Sequence, residues 1–386
     1  MAETAPTAGL AELEAAGARL AVVLPGGERL ALGPAPAAAE VLLRSARPLA
    51  ALARRDALAL AEAYLEGELE VSGDFCEALK VTAVLDLEPS AARRLLLAAR
   101  LRLPRRRWNR ASIAFHYDRP PEFFLPWLER WRSYSHGFYA TPDDDPAEAQ
   151  ARKLQFALDA LDLKPGTEVL DVGVGWGAFL EYAGLRGIRV HGLTLSEAQR
   201  RFVDERIRAQ RLPCRVSRVD FFDFRPEEPL AGAVFLGSLE HLIDYPRVAR
   251  FLARHLRPGA RVYADFCAQR ERFQVGAFLA RHVWPGAATY VNLPALLDAL
   301  LRAGLSVHQL GEDTRSYGCT VRDWADALDR EAPGLERRFG PRPVRAFRLF
   351  LRASQLFFET GRTQAYHLVA GSPPAAARAW ARAVST

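Results

Sequence analysis

The stretch Thr167-Glu-Val-Leu-Asp-Val-Gly-Val-Gly-Trp-Gly-Ala-Phe179 decides the fold. A short apolar run, TEVLDV, passes into glycines at alternate positions (Gly173, Gly175, Gly177) and then into a helical pattern near 177–187. Glycines at such a junction let backbone approach a ligand closely, and the helix N-terminus beyond them favours negative charge. The spacing is GxGxG, not the GxGxxG of dinucleotide binding, and no acid stands at the expected ribose position. Upstream lies the helical segment AEAQARKLQFALDAL (147–161) with a KPG turn. Downstream come strand IRVHGLTL, a helix from Ser196, strand RLPCRVSRVD, strand GAVFLGS, a helix near 246–256 and strand ARVYADF. Strands separated by helical segments predict a doubly wound, mostly parallel α/β sheet. Residues 295–303 and 322–330 read as further helices, and YHLVAG (366–371) as a closing strand.

Outside this region the chain reads differently. With 386 residues, two domains are expected, a smaller α+β unit over 1–110 and the α/β unit over 111–386. In the first, RLAVVLPGGERLAL (19–32) alternates around a turn as a hairpin does, and a helical stretch follows from about 38 to 65. Another helical segment then runs to about 102. Apolar residues make up 49%, charged 25% and aromatic 10%, which excludes a disordered tail, a collagen-like fibre and a small disulfide scaffold. Lys and Arg number 52 against 46 Asp and Glu, a net +6. Between Arg93 and Arg110 stand eight arginines and no acid. That patch is either a solvated linker face or, with Arg105, Arg106 and Arg107 at its centre, a docking surface for anionic phospholipid headgroups, worth roughly 1 kcal/mol per cation. No nucleic-acid motif accompanies it. Cys76, Cys214, Cys267 and Cys319 are scattered and read as reduced thiols, with no zinc pattern. The first residues lack a signal peptide's basic and apolar regions, and no run spans a bilayer. A cytoplasmic location, peripheral at the inner face of the membrane, is expected.

VLDVGVGWGAF resembles the S-adenosylmethionine loop of class I methyltransferases, and in detail that of the cyclopropane-fatty-acid synthase family, with Val174 replacing its usual cysteine. LTLSEAQ (193–199) is similar to the family's TLSxxQ, and VDFFDF to its segment carrying an acid for the adenine edge. LGSLEHL (236–242) is similar to its SxGxxEHxG, FHYDRPPEFFLPWL (115–128) to its entrance helix and SYSHGFY (133–139) to its YSCAYF. HVWPG (282–286), SYGCTVRDW (316–324) and ETGRTQAYHLV (359–369) match further segments, and YLEGELEVSGD (64–74) resembles the extra domain of phospholipid-acting members. The resemblance implies S-adenosyl-L-methionine as cofactor, held by Tyr134, Ser135, Asp171, Gly173, Gly175, Gly177, Thr194, Gln199 and Asp220. It also implies a Rossmann-like methyltransferase domain, a phospholipid surface and unsaturated acyl chain as partners, and a homodimer formed through the N-terminal unit.

The family's chemistry lets an acyl-chain alkene attack the sulfonium methyl, leaving a carbocation that π faces stabilise by about 0.5–2 kcal/mol each. Tyr117, Phe138, Phe266, Tyr317 and Trp284 are the aromatic candidates for the substrate pocket. The family is understood to close its cyclopropane with a bicarbonate held by a Cys, a Glu, a His with an Ile two residues on, and a Tyr. Glu240 and Tyr317 match, as does His241 beside Glu240. His136 falls on the cysteine, and Ala264 on the histidine, with Phe266 at the isoleucine. The stretch before Ala264 is about three residues short, so a slip of one would put Asp265 there instead. Either alignment loses the neutral donors of an anion cage, which speaks against bicarbonate as a cofactor. The favoured product is therefore a methyl-branched, alkene-retaining or methylene fatty acid, with His136, and next Glu240, as catalytic base. A cyclopropane product, methylation of another apolar alkene and a non-catalytic scaffold are the alternatives. A methyl-branched unsaturated product invites a partner desaturase, reductase or oxidase.

Overall fold

The computed structural model describes residues 17–83, 85, 119–164, 166–268, 277–283 and 290–375. The Arg93–Arg110 patch, Tyr117 and Trp284 lie outside the described residues. The chain forms two units. One gathers the described residues up to 85 with 277–283 and Trp324–Phe357, and the other holds the remainder. The sequence reading placed everything after 110 together. The difference has a physical cause, because Ala346 is buried with Tyr64 and Leu65, and the Arg345 guanidinium donates to the Tyr64 carbonyl at 2.9 Å.

In the first unit the hairpin forms as expected, β1 (Leu20–Val23) pairing antiparallel with β2 (Arg29–Leu32). The predicted helix from 38 is corrected at its start. Ala39–Leu43 is strand β3, parallel to β1 and antiparallel to β4 (Leu69–Gly73). Ala39, Val41 and Leu43 there complete a buried layer with Leu20, Val22 and Leu32, and this tertiary pairing overrides the helical propensity of an Ala-rich stretch. Helices α1 (Arg47–Ala53) and α2 (Ala57–Leu65) follow, with Pro48 opening the first and Asp56 capping the second.

The second unit is built on a seven-stranded sheet. Its strands are β5 (Glu168–Val172), β6 (Arg189–Thr194), β7 (Arg215–Arg218), β8 (Leu230–Leu236), β9 (Leu256–Ala268), β10 (Ser306–Glu312) and β11 (Gln364–Gly371). Their order is β10-β11-β9-β8-β5-β6-β7, with β11 alone running against its neighbours. Connecting helices are α3 (Pro146–Leu161), α4 (Ala178–Gly184), α5 (Glu197–Gln210), α6 (Tyr245–His255) and α7 (Leu293–Arg302). The predicted 322–330 helix is a fragment of α8 (Thr314–Phe339), which is followed by α9 (Pro341–Glu359). Gly340, at φ +81°, and Pro341 separate the two, using glycine's left-handed freedom after one helix and proline's fixed φ at the start of the next.

The chain lays down β5, β6 and β7 in one direction and then crosses back to place β8 on the other side of β5. That reversal leaves a crevice at the carboxyl ends of β5 and β8, the usual ligand position of such sheets. Along β9, Ala264, Phe266 and Ala268 enter an apolar core with Phe235, Leu300 and Leu368. Phe266 is fully buried in that core, so its expected place in a substrate pocket is corrected. Truncating it as Phe266→Ala should cost about 3–5 kcal/mol of unfolding free energy, as for other buried aromatics. Chemical denaturation checks this, and a change below 1 kcal/mol would contradict the core placement.

Candidate active site

The glycine loop leaves β5 with Gly173, Gly175 and Gly177 at φ +82°, +55° and +86°. A Cβ on Gly173 would stand 2.8 Å from the Ser238 Cβ, so only glycine allows the loop this close to the end of β8. Val174 is buried against Gly192 of β6, where a Cβ would meet it at 2.7 Å. The loop borders a cleft also lined by Tyr134, Ser135, Asp171, Thr194, Gln199, Asp220 and His241. Gly177 caps α4 just behind it. Thr194 donates to the Gln199 Oε1 at 2.7 Å, and the Phe222 amide donates to the Asp220 Oδ1 at 2.9 Å. Ser196 caps α5 and sets the approach of Gln199. Burial pushes the Asp171 carboxyl up to about 7, with Lys153 pulling it down and Asp265 pushing it further up. Burial lowers His241 to about 4, so its ring is neutral near pH 7. The structure thus gathers the expected cofactor residues at one cleft and sets His241 there too, apart from the other catalytic candidates.

Beneath the cleft lies a group that the sequence reading missed. Asp145 and Pro146 start α3, whose inward stripe reads Ala149, Gln150, Lys153, Leu154, Ala157 and Leu161. Lys153 on that stripe is wholly buried. Its Nζ donates to the Ser133 and Ser135 hydroxyls, each at 2.8 Å, and stands 3.7 Å from the Asp265 Oδ2. Asp265 is used on both oxygens, accepting from the Gly237 amide at 2.7 Å and from the Ser135 hydroxyl at 3.2 Å. A lysine in the mostly apolar inward stripe of a helix was the available signal.

A second cluster adjoins this one. The Glu240 Oε1 accepts from the Cys267 amide at 2.8 Å. The Cys267 thiol interacts with both Glu240 and Tyr317. Burial, opposed by the Cys267 amide, raises Glu240 to about 7, and Asp265 adds to the rise. Tyr317 stacks on Phe358 with centroids 4.4 Å apart and lies 4.9 Å from the His136 ring. The alternation of β9 bears on the alternative left open above. Asp265, not Ala264, stands with Glu240 and Ser135, and Cys267, not Phe266, is the residue two further on. His136 is fully buried, its Nε2 3.1 Å from the Asp313 Oδ2. Phe138 packs away from Glu240, against Phe156 and His367.

A family model described as mycolic acid cyclopropane synthetase matches residues 105–368. The chain is 25% identical over 366 residues to a "Probable fatty acid methyltransferase" of Pseudomonas putida, covering 90% of both proteins. It is 38% identical over 138 residues to cyclopropane mycolic acid synthase 2 of Mycobacterium bovis, which covers 34% of this chain and 44% of that one. Among solved structures, mycolic acid cyclopropane synthase CmaA1 complexed with SAH and CTAB superposes with a TM-score of 0.63 at 23% identity, over 68% of this chain and 97% of that one.

Glu240 carries a titration consequence. Its carboxyl is raised from 4.5 to about 7, so the folded protein still holds a proton that the unfolded chain has released. The unfolded state binds fewer protons in this window, and stability falls as pH rises from about 4.5 to about 7. Glu240→Gln should flatten that fall, as read from urea midpoints across the range. An unchanged pH slope would contradict the burial of the carboxyl.

Proposed function

Because the chain belongs to the mycolic acid cyclopropane synthetase family, we propose that it methylates a double bond of an unsaturated fatty acyl chain in a phospholipid and releases a methyl-branched, alkene-retaining product. The coarser activity is that of an S-adenosylmethionine-dependent methyltransferase acting on lipid alkene chains. The cleft fits this cofactor. Its Cβ-free loop admits a ligand against the backbone, and two carboxylates, Asp171 and Asp220, suit a cationic one. When bound, S-adenosylmethionine supplies an electrophilic methyl group on its sulfonium. Tyr134, Ser135, Thr194, Gln199 and Asp220 would hold it, and the glycine loop would set its depth.

Asp265 is the observation that carries the finer reading. Where the resemblance calls for a neutral histidine donor to an anion, the chain has a carboxyl whose oxygens accept from Gly237 and Ser135 and which stands 3.7 Å from the Lys153 Nζ. With both oxygens already engaged, it would stand beside a bicarbonate with Glu240 as a second carboxyl. His136 in place of the cysteine puts a proton acceptor of side-chain origin at the same cluster. Removing a proton from the acyl chain, not from the new methyl, then restores an alkene. The acyl-phospholipid substrate rests on the likeness over 90% of the chain to a fatty acid methyltransferase and on the N-terminal resemblance. Retention of Glu240 and Tyr317 favours the competing cyclopropane product.

Hydrogenation separates the two. The enzyme is incubated with S-adenosylmethionine and vesicles of a monounsaturated phospholipid, and the methylated chain is hydrogenated under conditions that leave cyclopropanes intact. Uptake of one equivalent of hydrogen is expected. No uptake would overturn the reading.

A further inference from the structure

His136 does not stand alone. Asp313 follows β10 and has its amide tied to the Ala365 carbonyl at 2.8 Å. Its Oδ2 lies 3.1 Å from the His136 Nε2 and 2.7 Å from the His367 Nδ1. His367 sits on β11, directly across from Gly311 on one side and Asp265 on the other. A Cβ on Gly311 would come within 2.1 Å of the His367 ring, so glycine there makes the room in which the ring lies. Phe156 and Phe138 wall the imidazole at centroid distances of 5.0 and 5.4 Å.

Hydrogen-bond bookkeeping fixes the tautomers. The Gln309 side-chain nitrogen lies 3.3 Å from the His367 Nε2, an arrangement satisfied when that ring nitrogen accepts. The His367 proton is then on Nδ1, directed at Asp313. Burial pushes the Asp313 carboxyl up, but the hydrogen bonds from His136 and His367 outweigh it and hold it at about 2. An ionised carboxylate only accepts, so the His136 proton is on Nε2 as well. In the neutral ring the His136 Nδ1 is then a buried lone pair, and among the described residues it has no hydrogen-bond partner. A buried polar atom of this kind calls for an explanation.

We propose that Asp313 and His367 are positioning residues that hold His136 in the tautomer whose Nδ1 takes the proton from the methylated acyl chain. The inference rests on the side-chain-base reading above. In the step, a C–H bond on the chain carbon beside the cationic centre breaks, and its electron pair becomes the new C=C bond. The proton goes to the His136 Nδ1, and the resulting imidazolium stays paired with the Asp313 carboxylate through Nε2–H. After product release the proton leaves to water.

The test uses the full chain with monounsaturated phospholipid vesicles and S-adenosylmethionine. Asp313→Asn keeps the size of the side chain but removes the charge that fixes the tautomer. It should lower kcat roughly 100-fold, within the range of a general base, while KM and S-adenosylhomocysteine affinity stay within about twofold. Asp313→Glu should recover part of the loss, and His367→Gln, which leaves the Asp313–His136 pair in place, should lower kcat about tenfold. A merely structural role would move cofactor affinity and thermal midpoint together with kcat. If Asp313→Asn fails to bind S-adenosylhomocysteine, His367→Gln decides. Wild-type kcat in whichever variant decides overturns the proposal. An alkene-retaining product combined with wild-type kcat in Asp313→Asn sinks the positioning role alone, whereas a cyclopropane product sinks the reading on which it rests.

Discussion

The buried ammonium of Lys153 is the constraint on which the site depends. An unpaired charge at such depth would be prohibitive, and removing one partner of a buried ion pair typically costs about 3–5 kcal/mol. Here the ammonium is surrounded by the Ser133 and Ser135 hydroxyls and the Asp265 carboxyl. Burial lowers its pKa while Asp265 and Glu129 raise it. The hydrogen bonds run outward from there. Ser135 is held again through its carbonyl, which accepts from the Gln150 side chain at 2.7 Å. Its chain neighbours, Tyr134 at the cleft and His136 in the second cluster, are therefore fixed by the same anchor. Asp265 in turn fixes Gly237 beside the glycine loop.

One anchor thus serves two chemistries. On the cleft side, the network keeps the backbone where a cofactor would lie. On the other side, it holds the Asp265 carboxyl, which accepts from Gly237 and Ser135, next to Glu240. In the proposed reaction the proton passes to a side chain instead, and Asp313 links His136 to His367 at that point. Burial raises both Asp171 and Glu240 to about 7.

Much of this was legible in local sequence. The GxGxG loop, the alternation of strands and helices and the TLSEAQ and SLEH segments put eight of the nine expected cofactor residues at one crevice, with Gly177 capping the helix that follows. What escaped depends on parity and on distant pairing. Strand side chains alternate faces, so a slip of one residue along β9 exchanges Phe266 for Asp265. Only burial of Ala264 and Phe266 in the core reveals which alignment holds. Asp313 and His367 are 54 residues apart and meet because β11 runs antiparallel between β9 and β10. No local spacing announces that pairing. The strand at Ala39–Leu43 was hidden for a like reason, since its partner β1 makes it a strand.

The most direct measurement is the deuterium content of the product formed from S-adenosylmethionine carrying a trideuterated methyl group. Cyclopropane closure must remove one hydrogen from the transferred methyl, whereas proton loss from the acyl chain removes none. Mass spectrometry of the purified acyl chain should find all three deuterium atoms retained. A product with two would contradict proton transfer from the chain to a side-chain base.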